Sequence, residues 1–255
     1  MTIFQAIILG VVEGLTEFLP VSSTGHMILA SSLLGIAQTE FLKSFEIAIQ
    51  LGAIAAVVLV YWRRVWENRS LSAKVMVAFI PTAIIGLIFY RFAKAYLLGN
   101  TAVVLWALFL GGIVLIVFER WYRRREATGA TFNDLSYGQA AVVGTAQALA
   151  IIPGVSRSAA TILGGLALGL TRESVVQFSF LLAVPTIGAA TLLDLTKTGF
   201  NFTLSEWQLL AIGFVVAFAT ARITISWLID YVRRHDFTVF GIYRVVIALV
   251  LWWLI

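Results

Sequence analysis

The sequence predicts an all-α polytopic membrane protein: six transmembrane helices plus two re-entrant helix–loop–helix hairpins in an inverted repeat. Three observations carry that prediction. First, 60% of the 255 residues are hydrophobic and only 12% are charged, against roughly 45–50% and about 25% in soluble domains. Second, the apolar runs are continuous and do not alternate, which disfavours a β-barrel. Third, two apolar segments are each broken in the middle, and they match one another at a constant offset. Gln5 opens QAIILGVVEGL and Gln139 opens QAAVVGTAQAL; PVSSTG from Pro20 matches GVSRSA from Gly154; Leu34-Gly35 matches Leu168-Gly169. The offset is the same each time (139 minus 5, 154 minus 20 and 168 minus 34 each give 134). One integral domain over 1–255 follows, with repeat halves at about 1–121 and 137–255 and a polar linker at 122–136.

A spanning helix needs about 20 mostly apolar residues. The first segment, 2–35, is split by Pro20-Val21-Ser22-Ser23 into pieces too short to span, so it reads as a hairpin that enters the bilayer and returns. Non-helical backbone at that depth is tolerated only under cover of protein or a watery cavity. Spans follow at 41–62, 71–90 and 100–121, the second carrying Pro81, which should kink it. The second broken segment, 137–170, is split by Pro153-Gly154-Val155-Ser156 and reads as the second hairpin. Spans at 173–195, with Pro185, then 207–227 and 237–255, complete the chain. One hairpin plus three spans puts the second half on the opposite side from the first. That is the inverted repeat, with sites expected near the midplane where the halves meet.

Charge orients the molecule. Arg63, Arg64, Arg69, Lys74, Arg120, Arg123, Arg124, Arg125, Arg233 and Arg234 fall on one side of this topology. Lys43, Arg91, Lys94 and Lys197 fall on the other. The first side is therefore cytoplasmic. The first hairpin enters from outside and the second from inside, so that their bends meet. The net charge of +5 reflects such loops and does not argue for nucleic acid. The N-terminal MTIFQ lacks the basic region of a signal peptide, and the absence of cysteine excludes thiolate chemistry.

The polar chemistry gathers at the two bends. Glu13 and Glu17 are four apart and share a helix face. Two carboxylates at membrane depth need a proton or a cation between them, and oxygen donors suit Mg²⁺ or Ca²⁺; acids in interfacial water at a hairpin mouth are the plainer alternative. Ser22, Ser23 and Thr24 stand where a second helix starts, as N-cap candidates or as part of an anion site. Ser23 and His26, three apart, place a hydroxyl beside an imidazole, as a nucleophile and its base would be. In the second bend, Gly154 permits close backbone approach. Ser156, Ser158 and Thr161 bring hydroxyls, and Arg157 a fork suited to phosphate oxygens. Arg157 needs a partner, either Glu13 or Glu17 or a phosphate. Arg222 and Arg244 also interrupt apolar runs, Arg244 without evident reason, whereas His235 in RRHD reads as a solvated loop residue.

At these residues the sequence resembles the undecaprenyl-pyrophosphate phosphatase, or bacitracin-resistance protein, family. EGLTEFLPVSSTGHM at 13–27 and PGVSRSAAT at 153–161 carry the resemblance, FSFLLAVP at 178–185 supports it, and it extends over essentially the whole chain. It implies a multi-pass enzyme of the bacterial plasma membrane, with its site reached from the outer face. That enzyme removes the terminal phosphate of undecaprenyl diphosphate, a polyprenyl lipid, and so recycles the carrier lipid of cell-wall synthesis. The resemblance also implies a divalent cation. Carried over by motif, the acids are Glu13 and Glu17, the serine–histidine element is Ser22, Ser23, Thr24 and His26, and the phosphate signature is Gly154, Ser156, Arg157, Ser158 and Thr161. The nucleophile stays open among Ser23, His26 and water, and a homodimer is among the partners the sequence allows. The competing class is an inverted-repeat transporter or flippase of polyprenyl phosphates, which would use the same anion site without covalent chemistry.

Overall fold

A computed structural model describes residues 1–37, 39–97, 100–122, 129–198 and 202–254. The described residues form ten α-helices: α1 Ile3–Thr16, α2 Ser23–Leu33, α3 Glu40–Glu67, α4 Arg69–Phe92, α5 Thr101–Tyr122, α6 Tyr137–Gln147, α7 Arg157–Ala167, α8 Arg172–Thr198, α9 Leu204–Val232 and α10 Thr238–Leu254. No strand forms among them. Five helices are long and apolar enough to cross a membrane: α3, α4, α5, α8 over Arg172–Leu193, and α9. The expected sixth span is α10, which at 17 residues is about 25 Å long. Large apolar side chains cover the outside, among them Leu87, Ile88, Trp66 and Trp253. That is the reverse of a soluble surface and suits lipid as solvent.

Both broken segments fold as helix–bend–helix units, and their local devices recur at the offset seen in the sequence. Thr2 with Gln5 caps α1, and Ser136 with Gln139 caps α6, each in a capping box that satisfies two free N–H groups reciprocally. The bends end at Ser22 and Ser156, which have left-handed φ of 71° and 78°, rare for a residue with a side chain. The second arms, α2 and α7, are 11 residues each and end at Gly35 and Gly169, both with positive φ, as helix stops prefer.

Small residues let the hairpins dock. A Cβ on Gly14 would come within 2.6 Å of the Ala217 carbonyl on α9, and a Cβ on Gly144 would collide with Ala78 on α4. The first arm of each hairpin thus packs backbone-close onto a long helix of the other half, as small-residue interfaces do in membranes. α5 pairs with α10 in the same way, through Gly112 and Gly241. Pro81 and Pro185 lie inside α4 and α8, and the helices continue through them.

One end of the bundle collects the basic residues assigned to a common side. Arg172 pairs with Glu119 at 2.6 Å, Arg233 with Glu173 at 2.8 Å, and Arg64 donates to Gln177 at 2.6 Å. Lys74 donates to the carbonyls of Asn133 (2.7 Å) and Phe132 (3.4 Å) and so holds the end of the linker down. Arg123, Arg124 and Arg125 lie outside the described residues.

Candidate active site

The two bends meet. Arg157 Nε lies 3.4 Å from Glu17 Oε1, and Ser158 Oγ donates to the Phe18 carbonyl at 2.8 Å. Between the bends is a cavity of about 150 Å³ lined by Glu17, Ser22, Ser23, Thr24, Gln50, Pro153, Gly154, Ser156 and Arg157, among others. It has room for one small ligand. The N-termini of α2 and α7 both end at it, with the first N–H groups of each helix lacking intrahelical acceptors and the positive dipole ends converging.

Glu17 is the hub. Its Oε2 accepts from the Ser23 hydroxyl at 2.6 Å, while its Oε1 faces Arg157. Arg157 donates from Nη1 to the Ser179 carbonyl at 2.9 Å, and its Nη2 is buried without a partner among the described residues. A guanidinium donor beside two helix N-termini is the donor type that an anion's oxygen takes. Only glycine fits at position 154, where φ is +95° and a Cβ would meet the Val104 carbonyl at 2.6 Å. Ser156 takes the N-cap role, its hydroxyl accepting from Ala159 N–H at 3.1 Å. Ser22, the equivalent residue, makes no such side-chain bond.

Glu13 lies one turn before Glu17, fully buried, and neither of its carboxylate oxygens meets a donor among the described residues. A buried carboxylate without a partner is costly, so the position calls for a proton or a cation. Among the described residues no group of three or more acids or histidines is gathered closely enough to cage a metal by itself. Two carboxylates that leave the remaining positions to water and phosphate oxygens are, however, the usual donor set for Mg²⁺.

Other expected site residues stand back from the cavity. The Ser23–His26 pairing does not form: Ser23 is held by Glu17, and both ring nitrogens of His26 are taken, Nδ1 by the Ser22 carbonyl at 2.8 Å and Nε2 by the Tyr243 hydroxyl at 2.6 Å. Three-residue spacing makes two side chains neighbours, but Glu17 on α1 takes the serine and Tyr243 on α10 takes the imidazole. Thr161 donates to the Arg157 carbonyl (2.8 Å) and to Gln147 Oε1 (3.1 Å), so it braces the bend from behind. Arg222 is exposed and donates to Ser226 at 2.6 Å.

The structure adds residues that the motifs did not name. Gln50 on α3 reaches the cavity; its signal was a polar pair, Glu46 and Gln50, one turn apart inside an apolar run. Gln147 donates to Thr82 (3.2 Å) and Thr186 (2.9 Å), each the residue after a helix-interior proline. These three line a second, mostly apolar cavity of about 550 Å³ between α4, α6 and α8, which also touches Arg157 and Ala150 of the first.

Comparison with known proteins places this geometry. The family model described as bacitracin resistance protein BacA matches residues 6–250. The chain belongs to the BacA family. Its relatives include an undecaprenyl-diphosphatase of Aquifex aeolicus, 47% identical over 98% of this chain and 97% of the relative. A protein of that name from Sulfurihydrogenibium is 47% identical over 99% and 100%. One from Thermus thermophilus is 48% identical over 97% and 95%. In this BacA-family chain both quoted motifs fall inside the matched region, and their residues form the bends just described.

Proposed function

We propose that this chain is a membrane phosphatase that hydrolyses undecaprenyl diphosphate to the monophosphate and inorganic phosphate, the activity for which its relatives are named. The observation that carries the reading is the position of Glu17 between a serine hydroxyl and an arginine at the edge of an anion-sized cavity. Phosphoryl transfer needs positioning and charge neutralisation above all, and these groups supply both. The adjoining apolar cavity of about 550 Å³ is of the size ligand pockets have and suits the first isoprene units of a lipid whose remaining length stays in the bilayer.

In this reading Arg157 and the N–H groups of both bends hold the diphosphate. Ser23 Oγ attacks the terminal phosphorus and passes its proton to Glu17. The oxygen–phosphorus bond to the leaving monophosphate breaks, and water then cleaves the phosphoserine. Glu13 and Glu17 would hold Mg²⁺ or Ca²⁺, which when bound offsets the negative charge of the phosphate oxygens. His26 acts on the backbone of the bend. The fold is six spans and two re-entrant hairpins in an inverted repeat; the matching caps, left-handed serines and glycine stops of the two halves support it. Loop charge supports a cytoplasmic basic end and a site reached from the outer face.

Detergent-solubilised protein tests the reading, because phosphate release from a polyprenyl diphosphate needs no sealed membrane whereas transport does. A rapid acid quench during turnover should yield acid-stable phosphate on Ser23. Acid-labile phosphate on His26, or no adduct at all, would overturn the serine route.

A further inference from the structure

The α10 dipeptide Tyr243-Arg244 takes no part in the chemistry above, yet it grips the backbone of both bends. Arg244 is wholly buried. Its five N–H donors form a fixed fork, and every one of them ends on a backbone carbonyl. Nε donates to Leu108 at 3.4 Å and Nη2 to Ala107 at 3.0 Å, both on α5. The other three reach the bends: Nη1 to Pro20 at 3.2 Å and to Val155 at 2.9 Å, and Nη2 to Gly154 at 2.9 Å. α5 is shaped to admit this group, since a Cβ on Gly111 would run into the guanidinium. Next to it, the Tyr243 ring stacks on the His26 ring at a centroid distance of 5.5 Å, and its hydroxyl meets Nε2. A carbonyl can only accept, so His26 Nδ1 carries the proton that binds Ser22, and Nε2 of the neutral ring accepts from the tyrosine.

Four carbonyls of the bends, those of Pro20, Ser22, Gly154 and Val155, are therefore held by α10 directly or through His26. The peptide unit is planar and trans, so fixing a C=O in one direction fixes the next N–H in the opposite one. Holding the Ser22 carbonyl aims the N–H of Ser23, and holding the Val155 carbonyl aims the N–H of Ser156. Both serines line the small cavity. An anion site made of backbone works only when its N–H groups face inward and its carbonyl oxygens are turned out.

We infer that Tyr243 and Arg244 are positioning residues that orient the peptide units of both hairpin bends, so that the cavity presents N–H groups to the diphosphate of the substrate. The choice of diphosphate as ligand rests on the phosphatase reading; the orientation of the bends rests on the hydrogen bonds alone. Arg244 is a charge at depth matched only to carbonyls, a set that a lysine, with three donors and no planar fork, cannot satisfy.

The test uses the full chain in detergent and inorganic pyrophosphate as probe, read as the rise in unfolding temperature with pyrophosphate concentration, beside phosphate release from polyprenyl diphosphate. In Arg244→Lys the half-saturating pyrophosphate concentration should rise at least about tenfold, with KM rising in step. Tyr243→Phe should show a smaller rise, about threefold, because the His26–Ser22 bond survives with one anchor fewer. A purely structural role would lower the unfolding temperature of the variants and leave the half-saturating concentration of the folded fraction unchanged; that result overturns the inference. Should Arg244→Lys not fold, Tyr243→Phe decides alone, since that side chain is 41% exposed and the ring is kept. Wild-type protein that pyrophosphate fails to stabilise also refutes the inference. Wild-type protein that binds pyrophosphate but releases no phosphate refutes the phosphatase reading and leaves the positioning role standing.

Discussion

Replacing Arg157 by lysine keeps the positive charge and removes the fork, which isolates what the guanidinium geometry contributes. In the structure Nε faces Glu17 at 3.4 Å, Nη1 donates to the Ser179 carbonyl at 2.9 Å, and Nη2 is buried without a partner among the described residues. Nη2 can take a phosphate oxygen without breaking any of these bonds. A lysine ammonium can replace one or two of these contacts and not all three in their fixed directions. The loss is then about one charge-assisted hydrogen bond in the transition state, roughly 1.5–3 kcal/mol, or about 10- to 150-fold in kcat/KM. Initial rates of phosphate release by Arg157→Lys in detergent, at several substrate concentrations and beside a thermal-unfolding control, measure it. A folded variant within about twofold of wild type would refute the assignment of Nη2 to the substrate.

Three further outcomes follow from single side chains. In chelator, Glu13→Gln should unfold at or above the wild-type temperature, because a partnerless buried carboxylate becomes neutral; added Mg²⁺ or Ca²⁺ should stabilise the wild type and not the variant, and an equal shift in both would exclude Glu13 as a ligand. Gly144→Ala drives a methyl into the Ala78 carbonyl and should cost about 1–3 kcal/mol of stability as overpacking, read from the unfolding temperature; an unchanged temperature would mean that α6 and α4 separate freely. Gln147→Glu removes both amide donations to Thr82 and Thr186 and buries a charge, so it should destabilise by about 2–4 kcal/mol; a stable variant would indicate that water reaches the larger cavity.

Much of the architecture was legible because its signals are local. Breaks such as Pro20-Val21-Ser22-Ser23 stop a helix wherever they occur, and the 134-residue offset needed only composition to be seen. Residues 237–255 read as a span, and α10 covers Thr238–Leu254. Glu17, Ser23 and Arg157, read from the motifs, line one cavity. His26 stands back from it, because its ring is held by a tyrosine 217 positions away, which spacing along one helix does not contain. Arg244 was unreadable for a different reason. Its five acceptors are backbone carbonyls, which every residue has, so no side-chain pattern announces them.

The two hairpins share a plan and divide the chemistry. At the 134-residue offset, Glu13 corresponds to Gln147 and Ser23 to Arg157. Gln147 is closed by three threonines, donating to two and accepting from one. Glu13, which as a carboxylate can only accept, has no donor among the described residues. The first hairpin thus brings acids and a hydroxyl, and the second brings a cation and satisfied amides. Had position 147 kept an acid, a second buried carboxylate would sit where Gln147 now donates to Thr82 and Thr186, at the cost of burying a charge. Had both halves kept arginine at the Ser23/Arg157 pair, the pocket would lack the hydroxyl that donates to Glu17. Divergence between the halves therefore brings an acceptor, Glu17, and a donor, Arg157, to one pocket, which symmetric halves could not provide.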